Sequence, residues 1–219
     1  MDKVGESKAR NEAYQAKFSR KKVIKERLTS AISEPVIFDI GAHTGESIRF
    51  FRELFPNARI FSFEPDSESF GELQVLEGPS TICFNMALSD STGQAVFYRN
   101  KIGHTNSLLP VNLESNDSIY LNNVHTGQEE FEPERFNRET EVHVQRLDEF
   151  CAGQGIGKID LLKIDVQGAE AMVLSGGGLF LEHVGVIILE ISFFDYYAKK
   201  SSFYVFVIVR IRKKITKSG

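Results

Sequence analysis

The chain has 219 residues, 42% of them apolar and 26% charged, which suits a single globular domain and excludes wholesale disorder or a collagen-like fibre. The net charge of −4 hides an uneven spread. Residues 1–34 carry nine basic and five acidic groups, residues 199–219 carry seven basic and no acidic ones, and residues 35–198 carry 10 basic and 25 acidic groups, net −15. A body this acidic is a poor partner for a phosphate backbone, so nucleic acid is not the expected ligand.

Two cysteines, Cys83 and Cys151, make no disulfide scaffold, and no Cys/His spacing reads as a zinc site. The first fifteen residues, MDKVGESKARNEAYQ, lack the apolar stretch of a secretory signal. The longest apolar runs, VGVII (184–188) and FYVFVIV (203–209), fall well short of the roughly 20 residues a membrane-spanning helix needs. The expected setting is therefore the cytoplasm, with no membrane span.

Taken in chain order, residues 1–34 read as a polar helical arm, with Ile24, Leu28 and Ile32 four apart. Its basic stretch RKKVIKER (20–27) reads most simply as a solvated face, and otherwise as a docking arm for an acidic partner. From Pro35 the texture changes. VIFDI (36–40) is a short apolar strand ending in an acid and then in the turn GAHTG; a helix follows, with Ile48, Phe51 and Phe55 on one face. ARIFSFE (58–64) is the next strand, Phe70, Leu73 and Leu76 mark a second helix, and TICFN (81–85) is a third strand. This β-α-β-α-β order predicts an α/β fold: a doubly wound, mostly parallel sheet with helices on both faces.

QAVFY (94–98) alternates like an exposed strand, and EVHVQ (141–145) reads as another added strand. Residues 100–140 between them lack periodicity and read as a binding loop or lid. LDEFC (147–151) is a short helix, KIDLLKID (158–165) a buried strand, AEAMVL (169–174) a helix closed by SGGG, and VGVIILEIS (184–192) a further strand. After Ser202 the chain turns β-branched and basic, unlike anything upstream.

The strongest local motif is Asp39-Ile-Gly41-Ala42-His43-Thr-Gly45, after a strand and before a helix. Gly41 and Gly45 would let the backbone pass close to a ligand, and helix N–H groups would point at it. A dinucleotide fingerprint needs glycine where His43 stands, and a P-loop needs Gly-Lys-Ser/Thr where Gly45 precedes Glu46; both phosphate readings fail. Glu64 ends the second strand, where an acid can accept both hydroxyls of a ribose. Asn85 through Asp90 follows the third strand and would border a heterocycle's edge. Lys163 and Asp165 share a face at the end of the fourth strand, at the carboxyl side where open α/β sheets place their chemistry. Glu190 sits in an otherwise apolar strand. Scattered acids are no ligand set, so no metal site is expected, although Asp165 with Glu190 could hold a divalent ion.

Together VIFDIGAHTG (36–45), FSFEPD (61–66), FNMALSD (84–90), TNSLL (105–109), RLDEF (146–150), KIDLLKIDVQGAE (158–170) and VIILEIS (186–192) resemble the FkbM family of S-adenosylmethionine-dependent methyltransferases, over roughly 35–200. The resemblance implies a class I (Rossmann-like) methyltransferase fold with a seven-stranded sheet, S-adenosylmethionine as cofactor, and O-methylation of a hydroxyl on a small molecule or sugar. Carried onto this chain, Asp39, Gly41, Ala42 and Gly45 would line the cofactor's methionine side, Glu64 its ribose, and Asn85, Ala87 and Leu88 its adenine. Asp165 would sit beside the transferred methyl group. The family often has asparagine where this chain has His43.

Methyl transfer to a hydroxyl needs positioning and a base. Asp165 is the first candidate and His104, in the loop beside Thr105-Asn106-Ser107, the second. The family normally continues past residue 204 with an amphipathic helix and a closing strand pair, so residues 201–219 read as a frameshifted or truncated tail that leaves the C-terminal edge of the sheet incomplete. The competing functional readings are a degenerate homologue that binds cofactor without turnover, an interaction module built on the basic arm and, more distantly, a dehydrogenase. Acceptor identity and oligomeric state stay open.

Overall fold

The computed structural model describes residues 32–101, 103–116, 118–119, 132–189 and 196–198, and the backbone of a strand at 207–209. Except for its last three residues, the expected N-terminal arm lies outside these, as do Glu190 and most of the basic tail. In chain order the elements are β1 (Val36–Ile40), α1 (Glu46–Leu54), β2 (Arg59–Phe63), α2 (Ser67–Leu73), β3 (Thr81–Phe84), β4 (Ala87–Ser89), β5 (Gly93–Arg99), β6 (Arg138–Arg146), α3 (Leu147–Gly153), β7 (Ile159–Ile164), α4 (Glu170–Gly177), β8 (Val184–Leu189) and β9 (Val207–Val209).

The main sheet runs β3-β2-β1-β7-β8-β9. Its first five strands are parallel, and β9 joins β8 antiparallel. The chain builds outward from β1 to β3, then returns to add β7 on the other side of β1. That reversal opens a crevice beyond the carboxyl ends of β1 and β7, where ligands bind in folds of this kind. The edge expected to be bare is thus paired by the tail itself: Ile187, Ile188 and Leu189 face Val209, Ile208 and Val207 in register. The implied seven strands are six among the described residues.

Both faces of the parallel strands are covered, which is why they read as near-continuous apolar runs. Phe38, Ile40, Phe61, Phe63, Leu162 and Ile164 point to one face, packed on α3, α4 and β4. Ile37, Ile60, Leu161 and Val186 point to the other, beneath Ile48, Phe51 and Leu73 of α1 and α2. The first face is an aromatic cluster. Phe150 of α3 meets Phe38, Phe63 and Phe84 edge-on, with ring centroids 4.9 to 5.9 Å apart. Such pairs add stabilisation beyond area burial.

β5 and β6 do not extend the main sheet. They form a second, three-stranded sheet in the order β4-β6-β5. The alternation seen in the sequence explains this. One face of each strand is buried, on a small cluster of Ala87, Phe97, Val142 and Val144, and a strand with one polar face cannot lie inside a two-sided layer. Arg99 at the end of β5 pairs with Asp66 at 2.7 Å, and Asp66 also caps α2 by accepting from the Ser69 N–H at 3.1 Å. The second sheet is thereby fastened beside the crevice. The unpatterned stretch 100–140 contains, where described, two 3-10 turns, Gly103–Thr105 and Pro133–Arg135.

Phe150→Ala should cost about 3–5 kcal/mol, the usual range for emptying an aromatic core site. Urea denaturation should show a lowered midpoint with an unchanged slope.

Candidate active site

The crevice floor is made by breaking the apolar alternation on one face. On the face that carries Ile37, Ile60 and Leu161, the last strand positions and the residues just beyond them are Asp39, Ser62, Glu64, Lys163 and Asp165. The register sets Asp39 directly beside Ser62 on one side and Lys163 on the other. Asp39 is fully buried. Lys163 Nζ lies 3.1 Å from Asp39 Oδ1, 3.5 Å from Asp165 Oδ2, and donates to the Gly41 carbonyl at 3.2 Å. The contact with Asp39 is an ion pair by distance rather than an aligned hydrogen bond, and neither Asp39 oxygen nor Ser62 Oγ has an aligned partner. Burial raises the Asp39 carboxyl above its ordinary range, with the Lys163 charge opposing. Burial pushes the Lys163 ammonium down, but the charges of Asp39 and Asp165 outweigh it and hold the group above the ordinary lysine range. The three groups form one cation flanked by two acids.

Glu64 stands at the end of β2. Its Oε1 accepts from the Asp66 N–H at 2.8 Å and its Oε2 from the His43 N–H at 2.9 Å. Burial is nevertheless the larger effect and pushes the carboxyl up to about 7, the two N–H donors only partly offsetting it. The β1–α1 turn is shaped to present that His43 N–H. The Gly41 and Ala42 N–H groups both donate to the Phe63 carbonyl at 3.0 Å, and His43 takes a left-handed φ of 49°. Histidine and asparagine both tolerate that region better than most residues, so histidine keeps the turn.

A cavity of about 420 Å³ opens over this floor. Gly41, Ala42, His43, Glu64, Ala87, Leu88, His104 and Asp165 all line it, with Phe63, Phe97 and Lys163. Asp39, Gly45 and Asn85 do not; each holds a residue or element that does. Asp39 fixes Lys163. Asn85 Nδ2 donates to the Glu64 and Pro65 carbonyls at 3.0 and 3.1 Å. Gly45 caps α1 at φ 91°, and a Cβ there would come within 2.3 Å of Leu76. At Gly41 a Cβ would come within 1.9 Å of the Asp165 carbonyl. The glycines therefore make room for the protein's own packing, not directly for a ligand as the sequence motif suggests.

Sequence reasoning misses the roof. Tyr197 is buried completely, and its single hydroxyl proton is shared between two acceptors, the Thr105 carbonyl at 2.9 Å and Gln167 Oε1 at 3.1 Å. Gln167 Nε2 donates to Asp165 Oδ1 at 3.0 Å. Ser107 Oγ donates to the Val166 carbonyl at 3.2 Å, so TNSLL docks onto the loop after β7. Glu170 accepts from the Val166 and Gly168 N–H groups at 3.2 and 3.1 Å and closes that loop. Glu170 is legible as the acid three residues past Gln167; Tyr197 leaves no signal, since its partners are brought to it only by the fold. Among the described residues no group of three His, Cys, Asp or Glu side chains could hold a metal ion, and Glu190 lies outside them. No helix among them is long and apolar enough to cross a membrane.

A family model described as "Methyltransferase FkbM domain" matches residues 39–215. The curated relatives include a protein named 2-O-methyltransferase NoeI from Sinorhizobium fredii, 34% identical over 162 residues, covering 73% of this chain and 64% of that one. Methyltransferase sdnD from Sordaria araneosa is 30% identical, covering 66% and 61%. Methyltransferase 1 from Beauveria bassiana is 26% identical, covering 64% and 57%. The chain thus spans less than two thirds of the length of these relatives. No solved structure matches significantly.

Lys163→Met should destabilise the fold by about 3–5 kcal/mol, because it strands a buried carboxylate without its counter-charge. Adding Asp39→Asn to that variant should recover part of the loss in urea denaturation. Equal stability of Lys163→Met and the parent would show that the cation is not needed.

Proposed function

Because the chain belongs to the FkbM methyltransferase family, we propose that it transfers a methyl group from S-adenosylmethionine to a hydroxyl oxygen of a small-molecule or sugar acceptor. The observation that carries this reading is the charge of the cavity wall. Among the described residues its carboxylates are Glu46, Glu64 and Asp165; its lysine, Lys163, is already matched by Asp39; and no arginine lines it. Such a wall repels phosphate and suits a cationic centre joined to a diol. The acidic wall weighs against the dinucleotide and P-loop readings independently of the motif residues the sequence lacks.

The residues divide the cofactor among them. Glu64, with both oxygens already oriented by backbone N–H groups, keeps lone pairs free for the two ribose hydroxyls. Ala87 and Leu88, with Phe97 nearby, give the adenine an apolar wall whose edge Asn85 supports through the Glu64–Pro65 backbone. Gly41 and Ala42, set by Asp39 beneath and Gly45 behind, face the methionine end. When bound, S-adenosylmethionine supplies a methyl group already activated on a sulfonium. The protein's task is then to align the acceptor oxygen and remove its proton. Asp165 is the group beside that oxygen and accepts its hydrogen bond; His104, exposed on the cavity wall, is the second group in reach of the released proton. The acidic body and the acidic cavity wall support a reading without nucleic acid, and the free cysteines Cys83 and Cys151 suit a reducing compartment such as the cytoplasm.

The acceptor's chemistry is read from the relatives' names and from the site. NoeI is named a 2-O-methyltransferase; the polar groups around the cavity mouth, Asn106 and His104 among them, suit a hydroxylated acceptor here.

Two outcomes test the reading. The diol is held best by an ionised Glu64, and in the free protein that group titrates near 7. Binding therefore expels a proton below pH 7, so calorimetric affinity for S-adenosylhomocysteine should fall as pH drops from 8 to 6 and level off above 8. Glu64→Gln should bind about tenfold to a hundredfold more weakly and flatten the profile. A parent protein that binds the compound equally at pH 6 and 8 would remove Glu64 from the ribose site.

Asp165→Asn should lower methyl transfer by about 10²–10⁴, with S-adenosylhomocysteine affinity kept, as expected for loss of an acid–base group. Full turnover in that variant would take the role from Asp165.

A further inference from the structure

Resting on that functional reading, we propose that Gln167 and Tyr197 are positioning residues that couple the Asp165 carboxylate to the turn carrying His104. Four groups lie in one row, the Thr105 carbonyl, the Tyr197 hydroxyl, the Gln167 amide and Asp165 Oδ1, with the single hydroxyl proton shared between the Thr105 carbonyl and Gln167 Oε1. The orientation of the Gln167 amide is fixed by its neighbours. Reversed, its oxygen would face the Asp165 carboxylate, acceptor against acceptor; as placed, Nε2 serves the carboxylate and Oε1 takes the tyrosine hydroxyl. Gln167 holds a left-handed φ of 56°, which aims its side chain along this path.

The two ends of the row belong to different bodies. Asp165 is anchored in the main sheet, its N–H donating to the Ile40 carbonyl at 3.0 Å. The turn Gly103–Thr105 is anchored to the second sheet: Asn100, just past β5, donates from Nδ2 to the Thr105 carbonyl at 2.8 Å and from its N–H to Asn106 Oδ1 at 2.7 Å. Tyr197 sits between them in a third segment. That segment is tied to residues 110–112 by Ala198 N–H to Pro110 O at 2.8 Å and by Asn112 N–H to Tyr196 O at 2.7 Å. Asp165 and His104 come from two different sheets, and Tyr197 is the buried link that sets one relative to the other. The arrangement lets the acceptor-side wall report its position to the carboxylate that touches the acceptor oxygen.

The test reads Asp165 itself and needs no acceptor. The carboxyl carbon of Asp165 is titrated by NMR in the full chain, in Gln167→Met, in Tyr197→Phe and in the double variant. Gln167→Met keeps the side-chain volume and removes the donor, so the titration midpoint should rise by about half a unit or more. Tyr197→Phe removes one hydroxyl from a buried side chain outside the cavity lining, and should move the midpoint in the same direction by less. The double variant should match Gln167→Met alone, because both changes break one row. In Tyr197→Phe, whose side chain is not part of the cavity lining, S-adenosylhomocysteine affinity should stay within about threefold. A midpoint untouched by Tyr197→Phe, or shifts that add in the double variant, would overturn the coupling; if Gln167→Met unfolds, Tyr197→Phe alone decides. Failure of the parent protein to bind S-adenosylhomocysteine would overturn the methyltransferase reading instead, leaving the Asp165 titrations as the separate measure of the coupling.

Discussion

A single ammonium group holds the crevice together. Lys163 enters the sheet on the face that everywhere else along β7 is apolar, and it survives there because Asp39 on the next strand and Asp165 two residues on supply two carboxylates within 3.5 Å. Asp39, fully buried, depends on it most, while Asp165 keeps some exposure to the cavity. A buried carboxylate with no counter-charge costs several kcal/mol, and two of them facing each other cost more. The parallel register makes the arrangement possible, since Asp39 and Lys163 are direct cross-strand neighbours. A slip of one residue would turn Lys163 into the aromatic cluster on the opposite face.

That ion cluster decides what kind of ligand the cavity can take. With Lys163 spent on Asp39, the wall is left with excess negative charge, and the left-handed turn at His43 gives its N–H to a carboxylate rather than to a phosphate. The same β-turn-α geometry that cradles phosphate in other α/β sheets is here turned to orient Glu64. Burial then works on Glu64 in a second way: it makes ionisation costly in the empty site, so the group is most willing to become an anion when a ligand's hydroxyls arrive to share the charge.

The floor of the site is legible in the sequence and the roof is not, for one physical reason. Acids at strand ends, glycines in the first turn and the Lys-x-Asp pair obey local rules: side chains alternate along a strand, and the turn after β1 needs residues that accept positive φ. Those rules put Lys163 and Asp165 on one face and Asp39 and Glu64 at strand ends; that all four share a face follows from the parallel register. The glycines' actual roles escape them, because what a Cβ would strike, the Asp165 carbonyl and Leu76, belongs to segments distant in sequence. The separate second sheet escapes them too, because alternation shows that one face is polar without showing which layer the other face joins. Tyr197 has no local pattern at all; its meaning lies in two partners, 92 and 30 residues away.

Floor and roof therefore differ in how freely they can vary. The floor is over-determined: its ionisable groups are fixed by strand position and by a charge or N–H partner, so exchanging one leaves another unmatched. The roof is made of turns held by individual hydrogen bonds rather than by strand register, among them Asn100 to Thr105, Ser107 to Val166 and Tyr197 to Gln167. Each such bond contributes only about 1 kcal/mol, and a different loop could replace it without disturbing the sheet. The polar groups fixed by strand register are thus separated from those carried by the turns at 103–116 and 196–198. The contacts of Tyr197 and Gln167 are where the turns meet the Asp165 carboxylate at the edge of the floor.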